Sequence, residues 1–128
     1  MKVKRKIKLG IVGSRRRDGP KDKAILRDRI LALDPSSIIS GGCAKGADKF
    51  AEELAEELSI PIKIFYPDKV PFGSPRWAYT RANYARNELI AKDSDHLIAL
   101  VASDRKGGTE NTIGYFIKYK GEEGLEIL

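Results

Sequence analysis

The chain is poor in the residues that most often carry chemistry. It has one cysteine, one histidine, one methionine and one tryptophan. A single cysteine, Cys43, cannot close an internal disulfide, and it forms no clustered zinc-ligand spacing with the lone His96. No Ser–His–Asp triad assembles around His96 alone, which reads as a structural residue at a strand start. Also missing is any apolar run near the 20 or so residues that span a bilayer. The basic start, Met1-Lys2-Val3-Lys4-Arg5-Lys6, leads into a strand-like run rather than a secretory signal. These absences point to a cytoplasmic protein with no membrane partner, no metal and no required cofactor.

What is present suits one globular domain. The chain has 128 residues, 41% hydrophobic and 33% charged. No linker, repeat or low-complexity tract divides it, so residues 1–128 read as a single domain, with 1–5 as a basic tail. The net charge of +6 is unevenly placed. Residues 1–29 hold twelve Lys/Arg and three Asp, and the rest holds twelve Lys/Arg and fifteen acids. A basic segment can attract nucleic acid or a polyphosphate. Residues 1–29 have no aromatic side chain to stack on bases, which weighs against a nucleic-acid site there.

Apolar periodicity divides the chain into alternating strands and helices. Ile7 to Gly13 reads as a buried first strand. Lys21 to Leu33 follows as a helix with Leu26, Ile30 and Leu33 inward, and Ser37–Ser40 as a second strand. Ala47, Phe50, Ala51, Leu54, Ala55 and Leu58 form the clearest amphipathic helix stripe. Ile62–Tyr66 is a third strand, and Pro67 to Pro75 a loop long enough to wall a ligand site. Trp77 to Lys92 reads as a helix with Ala78, Ala82, Ala85 and Leu89 inward. His96–Val101 is a fourth strand. Thr109 caps a final helix that buries Ile113, Phe116 and Ile117, and Leu125–Leu128 is a fifth strand. This order predicts an α/β, Rossmann-like three-layer domain, a parallel sheet of about five strands in the order 3-2-1-4-5 with helices on both faces.

In such sheets ligands bind beyond the carboxyl ends of the strands. Three glycine-bearing turns would converge there: Gly13-Ser14-Arg15, Ser40-Gly41-Gly42 with Lys45-Gly46 and Asp48, and Asp104 to Thr109 with Gly107 and Gly108. Strand, glycine turn and helix start together aim backbone N–H groups at an anion. The pattern predicts a nucleotide-phosphate site, with Arg15 as a phosphate clamp and Thr109 as a second phosphate contact. Arg16 and Arg17 read as solvated. Asp48 either orders the glycine turn or bonds a ribose. Cys43 reads as a small turn residue. Trp77 and Tyr79 read as packing residues rather than base-stacking ones. Walker A is excluded, because Ala47-Asp48 stands where Lys-Ser/Thr is required after Gly46. No G-x-G-x-x-G follows the first strand, which disfavours a dinucleotide-dependent dehydrogenase.

Taken in order, Gly13-Ser14-Arg15, Ser40-Gly41-Gly42, Lys45-Gly46-Ala47-Asp48, Arg86-Asn87, Asp95 with Leu97-Ile98-Ala99, and Gly107-Gly108-Thr109 resemble the SMF/DprA–Lonely-guy (SLOG) superfamily. The likeness is strongest to its small YspA/YpsA-like, DUF2493-type members. It implies a domain that binds a nucleotide or nucleotide-derived ligand, with Arg86 and Asn87 near it. It also implies two alternatives: a phosphoribohydrolase that cuts the N-glycosidic bond of nucleoside monophosphates, and a single-stranded nucleic-acid binder. Relatives often pair, so a homo-oligomer, a dimer, is implied as well. In the hydrolase reading Arg86 and Glu110 are catalytic, Glu110 activating water for attack at the ribose C1′. Two departures stand out. Cys43 adds a residue to the family's Ser-Gly-Gly-Ala-x-Gly-Ala-Asp turn. Gly107-Gly108-Thr109 lacks the hydrolase spacer, with Thr112 where that branch has glutamate.

Overall fold

A computed structural model describes residues 7–128. The basic tail at residues 1–5 lies outside them. Five strands and four helices alternate: β1 (Lys8–Gly13), α1 (Pro20–Leu33), β2 (Ser37–Ser40), α2 (Ala47–Glu57), β3 (Ile62–Ile64), α3 (Arg76–Asp93), β4 (His96–Leu100), α4 (Gly108–Lys120) and β5 (Leu125–Ile127). The strands form one sheet in the order β3-β2-β1-β4-β5, and every pairing is parallel. This is the Rossmann-like α/β arrangement that the alternation of patterns predicts.

The two faces of the sheet carry different cores. Leu9, Ile11, Ile38, Ile98 and Leu100 pack with Leu26 and Ile30 of α1 and Phe50 and Leu54 of α2. Val12, Ile39, Leu97 and Ala99 point the other way, onto Ile90 and Ala91 of α3 and Ile113 and Phe116 of α4. Side chains of a strand alternate faces, so a strand covered on both sides must be apolar throughout. Leu9 to Val12 in β1 meets that condition.

Packing changes several expected details. β3 ends at Ile64; Phe65 donates its N–H to Ser40 O at 2.9 Å and Tyr66 turns out to solvent. In α3 the buried residues are Asn87, Ile90 and Ala91, while Ala85 and Leu89 of the expected inward face are exposed. The helix is rotated from the small-residue stripe because α4 covers one side of it and the sheet the other. Ile117 of α4 is exposed for the same reason, and Thr109 and Thr112 are buried instead. Thr109 does not cap α4: Gly107 is the N-cap residue, and no side chain caps the helix.

Arg17 departs furthest from a solvated side chain. It donates to Asp22 Oδ1 (2.7 Å), Val101 O (3.0 Å) and Leu128 O (2.7 Å), tying the turn after β1 to the ends of β4 and β5. Arg16 forms a bidentate pair with Asp104, which holds that carboxyl below its ordinary range. Among the described residues, no helix is long and apolar enough to cross a membrane.

Candidate functional site

A cavity of about 550 Å³ opens beyond the carboxyl ends of β1, β2 and β4. The turn after β1 contributes Gly13, Ser14, Arg15 and Arg16; the turn after β2 contributes Gly41, Cys43 and Asp48; the turn into α4 contributes Lys106 to Thr109. Arg86 and Asn87 of α3 line it as well. The three expected turns therefore converge, in the crevice where parallel sheets place ligands. The fourth wall is unexpected. It is α3, through Thr80, Asn83 and Tyr84, and not the Pro67–Pro75 loop, none of whose residues lines the cavity.

Two amides of the turn after β2 are occupied from within. Asp48 Oδ2 accepts the Cys43 N–H at 3.0 Å, and Asp18 Oδ1 accepts the Gly46 N–H at 2.8 Å. Lys49 pairs with the same Asp18 oxygen at 2.8 Å, and Lys49 and Gly46 together hold the Asp18 carboxyl below its usual range. Burial pushes the Asp48 carboxyl up, against the opposing pull of the Cys43 N–H and the Arg86 guanidinium. Ser40 Oγ, fully buried, approaches this carboxylate but completes no well-formed hydrogen bond.

The glycines of this turn answer to packing. A Cβ on Gly42 would meet Tyr66 at 2.6 Å and Ile64 at 2.8 Å. Gly46 has φ +72° and ψ −145°, and a Cβ there would stand 2.7 Å from Ser14 O. Ser40, Gly42, Lys45 and Gly46 of the expected set do not line the cavity.

Arg86 and Asn87 act as a brace across the crevice floor. Arg86 Nη1 donates to Gly41 O at 2.5 Å and Nε to Asn87 Oδ1 at 3.0 Å. Asn87 Nδ2 reaches Asn111 Oδ1 at 3.1 Å and Gly108 O at 3.4 Å. These two side chains couple the β2 turn to the start of α4.

The turn into α4 lines the cavity along its length, from Lys106 to Thr109. The amides of Gly108 and Thr109 have no hydrogen-bond acceptor among the described residues. A Cβ on Gly107 would meet nothing within 4 Å. Uncapped first-turn amides at the positive end of a helix dipole are where an anion is stabilised. Arg15 and Lys106 are exposed at its rim. Glu110 is placed elsewhere: both its oxygens hold Arg105 at 2.8 Å, and it does not line the cavity. Asp48 is the one carboxylate among the lining residues. Sequence reasoning singled out neither Asp18, Thr80, Asn83 and Tyr84 nor Lys106 and Thr112 as site residues; of these only Lys106, beside Gly107-Gly108, and Thr112, at the family's glutamate position, carried a local signal.

No family model and no curated protein matches the chain. Among solved structures it is similar to a predicted subunit of a tRNA methyltransferase from Methanocaldococcus jannaschii, with 15% identity and a TM-score of 0.47. The match covers 95% of this chain and 68% of that one. At that distance the likeness adds nothing to a functional argument.

Proposed function

We propose that this domain binds a nucleotide or nucleotide-derived ligand in the crevice, with its phosphate on the start of α4, in the manner that the resemblance to SLOG proteins implies. The observation that carries this reading is the pair of acceptor-less amides at Gly108 and Thr109, facing a cavity rimmed by Arg15 and Lys106. The β2 turn plays a different part from the one its glycines suggest. Its Cys43 and Gly46 amides are committed to Asp48 and Asp18, and Gly42, Lys45 and Gly46 lie off the cavity, so it shapes the crevice while the α4 turn, whose Gly108 and Thr109 line the cavity, takes the anion. Arg86 leaves Nη2 without a hydrogen bond among the described residues and supplies positive charge to the ligand's middle.

Hydrolysis of the N-glycosidic bond is the weaker reading. Glu110, the base it calls for, is engaged by Arg105 outside the cavity. Calorimetry with the common nucleoside 5′-monophosphates tests the binding reading, and chromatography of the same mixtures for free base tests the hydrolytic one. We expect binding without base release. Arg15→Gln should weaken binding about tenfold, the loss of one charge-assisted contact of roughly 1.5 kcal/mol. Absence of binding by every monophosphate would overturn the proposal, and release of a free base would restore the hydrolase.

A further inference from the structure

A second cavity, about 680 Å³, lies along the outer face of α3 and continues the first: Thr80 and Tyr84 line both. Its walls are Trp77, Tyr84 and Tyr115, with Arg76 and Arg81 beside them. Trp77 is 64% exposed, an unusual position for the largest apolar side chain. The packing role expected of Trp77 is therefore not the one its position gives it.

The charge of the groove selects its occupant. Arg76 and Arg81 form no ion pair among the described residues. The groove's one acid, Glu88, already accepts a hydrogen bond from Tyr119 at 2.6 Å. A second copy of the chain seated here would bring four guanidinium groups together against two engaged carboxylates. An anion bearing a flat ring satisfies the groove better: the ring stacks on Trp77 or Tyr84, and a phosphate meets the guanidiniums. Ligand pockets run from about 300 to 1,000 Å³, so either cavity holds one nucleotide-sized unit, and the two joined hold more than one.

We infer that the groove is a second base subsite, and that the ligand is a dinucleotide whose first phosphate lies on α4 and whose second base stacks against Trp77. This inference rests on the nucleotide reading of the crevice. Trp77 is the chain's one tryptophan, so its fluorescence reports on the groove directly.

The test titrates the full chain with adenosine 5′-monophosphate, the 5′-phosphorylated dinucleotide pApA and a 5′-phosphorylated deca-adenylate, followed by Trp77 emission and by calorimetry; guanine, cytosine and uracil counterparts are run in parallel. The dinucleotide of at least one base should bind about tenfold tighter than its monophosphate and quench Trp77, since one stacked base is worth that factor or more. Trp77→Leu should abolish that advantage and leave monophosphate affinity unchanged. Arg76→Gln with Arg81→Gln should reduce it while sparing the fold, because neither side chain is bonded among the described residues.

Equal affinity for mono- and dinucleotide would overturn the second subsite and leave the crevice reading intact. Failure of both to bind would overturn the two together. Affinity that keeps rising to the decamer would reassign the groove to a nucleic-acid strand. A sedimentation-detected dimer whose formation shields Trp77 from an aqueous quencher would reassign it to a second copy of the chain.

Discussion

Gly46 combines two demands that no other residue meets. Its φ of +72° with ψ of −145° is a conformation entered almost only by glycine, and its Cα lies against the backbone of Ser14 and Arg15. An alanine Cβ would be both strained and 2.7 Å from Ser14 O, a backbone atom that cannot swing aside. Gly46→Ala should therefore lower stability by about 2–3 kcal/mol. Urea denaturation checks this; a loss below 0.5 kcal/mol, about the size of an unstrained surface change, would mean the turn relaxes freely. The sequence marked Gly46 as special, and its packing against Ser14 and Arg15 is a demand the sequence did not show. Tight turns and phosphate cradles both select glycine, and only the neighbours tell them apart. Those neighbours, Asp18 and Ser14, lie about 30 residues away in the chain, and no local pattern links them to Gly46. Glu110 is a related case. Its distance from Thr109 was readable, but its capture by Arg105 depends on the exact path of the turn between β4 and α4.

The helices and strands were legible because periodicity reports burial directly. α2, with its stripe from Ala47 to Leu58, was unambiguous; α3 was not, since its burial is divided between the sheet and α4 and its outer face carries aromatic side chains. Ion pairs between elements left no sequence trace at all. Glu126 of β5 accepts from Arg29 of α1 at 2.6 Å and pairs with His96 of β4 at 2.6 Å, fastening the edge strand to both layers. Arg29 above all, with His96, keeps the Glu126 carboxyl below its ordinary 4.5. A carboxyl lowered in the folded state stabilises above its unfolded value and loses that contribution as pH falls through the folded one. Glu126→Gln should thus cost about 1 kcal/mol at pH 7, a modest figure because Arg29 is partly solvated. The difference from the parent should begin to shrink near pH 4.5 and vanish once the pH has fallen below the lowered folded-state value. Chemical denaturation at pH 7 and pH 3 measures it; an equal cost at both values would show that the contact works through packing and not charge.

At the scale of the whole molecule, the lopsided charge of the sequence becomes complementarity inside the fold. Lys8 pairs with Asp93, Arg16 with Asp104, Lys23 with Glu53 and Glu57, and Arg29 with Glu126. Cations from the first 29 residues thereby meet acids from the remainder, and the excess was never wholly available to a polyanion. The charge split was plain in the sequence, while its partners were hidden by separations of up to 97 residues. The exposed pairs are screened by salt. Raising sodium chloride from 0.05 to 1 M should lower stability by about 1 kcal/mol in total, measured by urea titration at each salt. A rise in stability would mean that repulsion among the unpaired cations dominates.

The two glycine turns at the crevice mouth are constrained in different ways. The Ser40–Asp48 turn is hemmed in by Tyr66, Ile64, Ser14 and Arg86, so nearly every added atom collides. Gly107 and Gly108 face open space, with no contact nearer than Asn87 at 3.8 Å, and Gly107 is confined to glycine by its φ of +116° alone. Variation at Lys106 and Gly108 can retune what the crevice accepts while the first turn holds the architecture constant. A scaffold divided this way is suited to drift: descendants of such a chain would share the Ser40–Asp48 turn and Gly107 and differ at Lys106 and Gly108, their ligands diverging before their folds do.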